Sequence, residues 1–373
     1  MAAVSGTTDD RFARVREAFA SNFADGLDHG AAVAVVLGGR PVVDLWGGHA
    51  DAARTKQWRR DTLVNVWSVT KGVVAIAVAM LVERGKLDYA APIASVWPEF
   101  AQGGKAHISL DLAMSHRAGL NGVERPITEA QMLAWTPYVE AIAAQKPLWE
   151  PASRCVYHML SYGHIAGEPI RRVTGASPGR FIAEQIAGPL GVPFFLGVPD
   201  SEDHRVAEMV PGPLVNAGMD ALAEGPYWQS VRNPRPDAMA PNRRPWRAGE
   251  VPGGNGHADA MALATIYGVL AQGGGNLISP AGLAAATRER FRGEDAGFKQ
   301  PTAFGAGFRL DDAIATPVAG PGNFGHSGWG GALTFADPAR GLGFAYVTNH
   351  MRDFDDGIDV RRKRLVEAVY AAL

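Results

Sequence analysis

Ser68 and Lys71 stand three residues apart in Ser68-Val69-Thr70-Lys71, directly ahead of the apolar positions Val73, Val74, Ile76, Ala77, Met80 and Leu81. If that run is a helix, the two side chains share a face and can reach each other. The free N–H groups of its first turn, with the helix dipole, would favour negative charge developing at Ser68. A serine hydroxyl needs a base before it can attack, and a lysine serves once burial has left it neutral. A helix apolar on most faces is a buried one, and a lysine near its start is costly unless it has a purpose. The chemistry open to this pair is acyl transfer through the serine oxygen. With 13 serines and 7 lysines in 373 residues, chance supplies a Ser-x-x-Lys about one time in four. Its place at the head of the apolar run, more than the match itself, carries the reading.

A second serine competes. Gly175-Ala176-Ser177-Pro178-Gly179 is formally a Gly-x-Ser-x-Gly, which in α/β-hydrolases marks a strand-to-helix turn whose next residue donates its N–H to an oxyanion. Here that residue is Pro178, which has no N–H. The stretch His164–Thr174 has helical rather than strand character, so Ser177 reads as the N-cap of a helix over Arg180–Ile186, with Pro178 in its first turn. Tyr157 lies in an irregular stretch after Pro151. On composition alone it is packing; beside Lys71 it could shuttle protons, with the ammonium lowering its phenol pKa. Gly325-His326-Ser327-Gly328-Trp329-Gly330-Gly331 precedes the apolar run Ala332–Phe335. Glycines this dense beside a strand fit either a bulge or a sheet edge lining a cleft, where one N–H could complete an oxyanion hole. Neither H-E-x-x-H nor G-x-x-x-x-G-K-[ST] occurs, and the histidines lack metal-ligand spacing. No metal and no cofactor are expected.

These residues need elements to hold them. Residues 10–26 repeat Phe12, Val15, Phe19 and Phe23 at helical spacing, and Ala31–Leu37 with Pro41–Trp46 flank Gly38-Gly39-Arg40 as a β-hairpin. The helix after Ser68 should end near Arg84, before Gly85. Helical periodicity dominates Leu110–Leu190. Residues 211–256 are irregular and rich in Pro, Gly, Asn and Arg, as functional loops and lids are. A helix over Ala258–Ala271 follows, then short apolar runs (Phe304–Phe308, Ala332–Phe335, Leu342–Thr348) and a closing helix from Val360. Strands at both ends with helices between suggest one α/β sheet assembled from both termini, carrying a helical insertion. Apolar residues at 47% and charged residues at 20% describe a soluble globular chain. A net charge of −2 gives no reason to expect nucleic acid or an anionic membrane. The single Cys155 excludes an intrachain disulfide and a cysteine-based zinc cluster. No apolar stretch approaches the ~20 residues of a membrane span, and no secretory pattern opens the chain, so a cytoplasmic location is expected. Oligomeric state is left open.

In this order the motifs resemble the serine β-lactamase and penicillin-binding-protein superfamily, and within it the class C-like branch that includes the family VIII carboxylesterases. Ser68-Val69-Thr70-Lys71 looks like its S-x-x-K, Tyr157 like its Y-x-N or Y-S tyrosine, and His326-Ser327-Gly328 like its K-T-G or H-T-G strand. The segments Leu81–Asp88, Leu112–Leu120, Gly256–Ala260 and Phe324–Asn349 are similar to the family's as well. The resemblance implies a β-lactamase-like fold, an antiparallel sheet flanked by helices and built from both termini. Residues 1–108 and 235–373 would form this α/β domain, and 109–234 a mostly helical domain with irregular loops over the site. It further implies that Ser68 is acylated and that Lys71 with Tyr157 relays its proton. The N–H groups of Ser68 and Trp329 would form the oxyanion hole, and His326, Ser327, Gly328, Trp329 and Gly330 would bind substrate. Two departures bear on the substrate. Met159 replaces the Y-x-N asparagine, and His326 replaces the K-T-G lysine, a weaker partner for a carboxylate at neutral pH. Both favour a small ester without an anionic anchor, hence a carboxylesterase for short-chain acyl esters. The alternatives are a β-lactamase, D-amino peptidase or acyltransferase using the same site, and a non-catalytic ligand-binding protein.

Overall fold

The computed structural model describes residues 4–213, 215, 225, 228–311, 321–352 and 359–373. Its strands are β1 (Val4–Thr8), β2 (Gly30–Leu37), β3 (Arg40–Gly48), β4 (Val64–Asn65), β5 (Phe194–Leu196), β6 (Val210–Pro211), β7 (Gly256–Ala258), β8 (Phe291–Asp295), β9 (Gln300–Phe304), β10 (Arg309–Leu310), β11 (Phe324–Ser327), β12 (Leu333–Asp337), β13 (Leu342–Thr348) and β14 (His350–Met351). Nine of them form one sheet in the order β1-β3-β2-β13-β12-β11-β10-β9-β8. Its neighbouring strands pair antiparallel. The N-terminal strands β2 and β3 are the expected hairpin, turning through Gly38 and Gly39, both at positive φ. Strand β2 then pairs with β13 from the other end of the chain.

Side chains sort by the pleat. On β2, Ala31, Val33 and Val35 face one core with Phe12, Val15, Phe19, Leu365, Val366 and Val369 from the first and last helices, Ala13–Ala24 and Val360–Tyr370. Ala32, Ala34 and Val36 face the other core, with the helices Val69–Glu83 and Ala260–Ala271. Small residues dominate this second face, which lets the Ala260–Ala271 helix lie close. A Cβ on Gly343 of β13 would sit 2.2 Å from the Gly268 nitrogen. The Val69–Glu83 helix is buried from Val69 through Leu81, as its uniformly apolar sequence requires.

Between the chain ends the helical stretch includes Leu110–Met114, Thr136–Ala144 and Ser161–Thr174. Two differences from the sequence reading have simple causes. The helix expected over Ala258–Ala271 begins at Ala260, because Asp259 caps it by accepting from the Ala262 N–H and Gly256–Ala258 pairs as β7. The run Phe304–Phe308 is not a strand. It bends at Gly305, and Gly307, at φ +84°, donates to the Met114 carbonyl. Of the irregular stretch 211–256, residues 214, 216–224 and 226–227 lie outside the described residues.

Candidate active site

Ser68 sits at a backbone discontinuity. Strand β4 pairs with β7, Trp67 takes φ +48°, and the helix begins at Val69 with Ser68 as its N-cap residue. A bulky residue in the left-handed region is strained, and here the strain turns the chain so that Ser68 heads the buried helix. Lys71 lies one turn on, with no solvent exposure. Its Nζ is 3.0 Å from Ser68 Oγ and 2.6 Å from the Met159 carbonyl, and it also bonds the Gly253 carbonyl. It lies over the Tyr157 ring, 4.9 Å from the centroid. Among the described residues no carboxylate pairs with it, and burial pushes its pKa well below the ordinary lysine value of 10.5.

A neutral amine has two hydrogens and one lone pair. Carbonyl oxygens can only accept. In that form both hydrogens go to Met159 and Gly253, and the lone pair is left facing the Ser68 hydroxyl. The backbone decides which end of the amine the serine meets.

Tyr157 is placed by its main chain. Its N–H donates to Asp295 Oδ2 at 2.9 Å, while Asp295 Oδ1 accepts from Gly297 and Phe298 at the turn between β8 and β9. Its ring packs against His116, 4.6 Å between centroids, and stacks on Phe304. The phenol bonds the Ser68 hydroxyl and lies 3.4 Å from His326 Nε2. His326 Nδ1 is 2.7 Å from the Ser327 carbonyl, so Nδ1 carries the proton and Nε2 accepts. Burial and the neighbouring Lys71 and Arg309 push the His326 pKa well below that of a free imidazole. The phenol departs from the sequence expectation. Its pKa rises, because burial outweighs the hydrogen bond with Ser68.

Trp329 follows β11 in a turn pressed against the Ser68 segment. A Cβ on Gly328 would stand 2.4 Å from the Val66 carbonyl, and the Trp329 and Trp67 rings meet edge to face at 4.8 Å. Neither the Ser68 N–H nor the Trp329 N–H has an acceptor among the described residues. Both residues line a cavity of about 300 Å³ with Tyr157, Met159, Leu160, Phe298, Phe304, His326, Ser327 and Gly328. Gly330, expected among the substrate-binding residues, does not line it. At φ +97° it turns back onto Met351, and its carbonyl accepts from Arg361.

Ser177 behaves as a cap. Its Oγ accepts from the Arg180 N–H at 3.2 Å and bonds Glu250 at 2.6 Å, at the start of the helix Pro178–Ile182. Sequence reasoning missed Asp295, Arg309 and Arg362, which also line the cavity. They are single charged residues in no motif, and only the fold brings them to the site. It also gave His116 no role, although His116 lies in Leu112–Leu120, one of the segments that carried the resemblance.

An antiparallel sheet closed by strands from both chain ends, with a serine and lysine heading the helix buried behind it, defines the β-lactamase-like class. The chain belongs to the Beta-lactamase family, whose model matches residues 19–368. It is 34% identical over 365 residues to the Esterase/beta-lactamase LipL of Mycobacterium tuberculosis, covering 93% of this chain and 83% of that protein. The crystal structure of a family VIII carboxylesterase matches over 100% of both chains, at TM-score 0.91 and 41% identity. A penicillin-binding-protein homologue from Caulobacter crescentus also matches over 100% of both chains, at TM-score 0.89 and 41% identity.

Proposed function

We propose that the protein is a carboxylesterase that hydrolyses short-chain acyl esters through an acyl-enzyme on Ser68. The observation that carries this reading is the buried Lys71 amine, 3.0 Å from Ser68 Oγ, held by the Met159 and Gly253 carbonyls and with its pKa depressed by burial. Lys71 takes the hydroxyl proton as Ser68 attacks the ester carbonyl. The Ser68 and Trp329 N–H groups receive the carbonyl oxygen as it gains charge. The proton then passes from Lys71 through Tyr157, neutral because its pKa is raised, to the departing alkoxide, so that both groups end the step as they began it, with His326 keeping the phenol oriented. Water then repeats the sequence on the acyl-enzyme, and no cofactor or metal takes part.

The esterase preference rests on the pocket wall. His326 is uncharged where a lysine would offer a cation, and Met159 contributes a carbonyl and an apolar side chain where an amide would stand. A cavity of about 300 Å³ with Trp67, Leu160, Phe304 and Trp329 on its wall suits a small acyl or aromatic group. The helical stretch 109–234 is read as a domain inserted into an α/β domain of 1–108 and 235–373. A cytoplasmic location accords with the described residues holding no helix long and apolar enough to cross a membrane. Cephalosporin hydrolysis is the second reading, favoured by the relative whose name joins esterase and beta-lactamase. Turnover of p-nitrophenyl butyrate beside a chromogenic cephalosporin separates the two. The ester should be the faster substrate by kcat/KM, and faster cephalosporin turnover would overturn the preference.

A further inference from the structure

Arg361 is buried completely, yet it opens the last helix and lies outside the cavity. A guanidinium has five N–H donors in a rigid plane, and burying it is costly unless all are met. Here every one is. Nε and Nη2 face the two carboxylate oxygens of Asp359, at 2.9 and 2.6 Å. Nη1 donates to the His350 carbonyl at 2.7 Å and reaches Asp28 at 3.3 Å. The remaining Nη2 hydrogen goes to the Gly330 carbonyl at 2.8 Å. Asp359 fixes the guanidinium in turn, since the same carboxylate accepts from the Arg361 N–H at the start of the helix.

The bond to Gly330 is the one that reaches the site. Gly330 and Gly331 take φ +97° and +125°, and a Cβ on Gly331 would fall 2.2 Å from Arg361 Nη2. The turn therefore rests directly on the guanidinium. Its other fixings lie on the strand side, where Gly328 N–H donates to the Ala332 carbonyl at 2.7 Å and Gly331 N–H to the Gly328 carbonyl at 3.1 Å. Trp329 is held between these bonds and Arg361, with its own N–H left for the cavity. Two adjacent glycines at positive φ are conformationally loose, and a turn made of them needs an external anchor to keep one orientation.

We propose that Arg361 is a positioning residue, which acts through Gly330 to hold the Trp329 N–H aimed at the acyl oxygen beside Ser68. This rests on the reading of Trp329 as an oxyanion donor. The test uses Arg361→Gln and Arg361→Lys in the full chain, with p-nitrophenyl butyrate as substrate and each rate divided by the serine titrated with a fluorophosphonate. Arg361→Gln should lower kcat per titrated site about ten- to a hundredfold, short of or equal to removal of one oxyanion donor. KM should stay within about threefold, while inhibition by phenylboronic acid, which forms a tetrahedral adduct on the serine, should weaken with kcat. Arg361→Lys should recover part of the loss. An unchanged kcat per titrated site, with only the titratable fraction reduced, would make Arg361 a purely structural residue and overturn the proposal. Should Arg361→Gln fail to fold, Gly331→Ala displaces the guanidinium from the turn, and full kcat there overturns it equally. Wild-type protein that neither labels nor turns over the ester refutes the esterase reading itself, a result seen before any variant is compared.

Discussion

Replacing Lys71 by methionine separates the amine's chemistry from its packing. Methionine is close to lysine in length and volume, so the buried helix keeps its contacts. What is lost is two N–H donors and one lone pair. The Met159 and Gly253 carbonyls lose their amine partner, at about 1–3 kcal/mol each. The apolar thioether, which needs no desolvation, offsets part of that cost. Stability should therefore change modestly, and the variant should be soluble and folded. The rate should change far more. Loss of a general base costs roughly 10²–10⁴-fold, equivalent to about 3–5 kcal/mol of transition-state stabilisation. The assay is kcat/KM for p-nitrophenyl butyrate across pH, with circular dichroism to verify folding. In the wild type, activity should fall as pH drops and the amine takes up a proton. Because burial depresses the Lys71 pKa, that limb should lie below the ordinary value of 10.5. It would report the coupled pair of Lys71 and Tyr157 rather than either alone. In Lys71→Met the limb should vanish with the activity. A folded variant that keeps more than a tenth of wild-type kcat/KM would refute the assignment of Lys71 as base.

Three further outcomes follow from other parts of the structure. Tyr157→Phe keeps the ring against His116 and Phe304 and loses only the hydroxyl. Steady-state kinetics should show kcat down about a hundredfold and KM changed little; a large KM effect with kcat intact would place Tyr157 in binding instead. Asp259 caps the Ala260–Ala271 helix while burial lifts its pKa to about 6 from 3.8. Its folded form thus binds the proton more tightly than the unfolded chain does, and stability should decline as pH rises from about 4 through 6. Asp259→Asn keeps an acceptor for the Ala262 N–H, so it should melt higher than wild type above pH 6, with the gain fading by pH 4; a pH-independent difference would contradict this. Ser177→Ala should cost about 1 kcal/mol in denaturant unfolding, as for a lost helix cap, and leave esterase activity within about twofold.

Legibility in the sequence divides along physical lines. Ser68 and Lys71 could be read because the signal was local: a fixed spacing at the head of an unusually apolar helix. The β2–β3 hairpin was legible for the same reason, through Gly38 and Gly39, and Ser177 was legible as a cap from Pro178 and the helical character of His164–Thr174 before it. Strand β1 could not be read. Val-Ser-Gly-Thr-Thr has no apolar alternation, and its strand exists only because β3 offers an edge to pair with. Asp295, Arg309 and Arg361 were equally hidden, since what matters about each is a partner far along the chain. The sign of the Tyr157 shift was missed because it depends on a quantity that only packing sets, the desolvation of the phenol. Gly330 was placed in the cavity by its motif, whereas its positive φ directs it to Arg361.

The most direct test of the central claim is where the acyl group goes. Protein quenched in acid during turnover of p-nitrophenyl butyrate, then digested and examined by mass spectrometry, should carry a butyryl group on Ser68. The adduct should be absent from Ser68→Ala, which should also be inactive, and present in Ser177→Ala. A butyryl group on Ser177, or unimpaired hydrolysis by Ser68→Ala, would contradict the account.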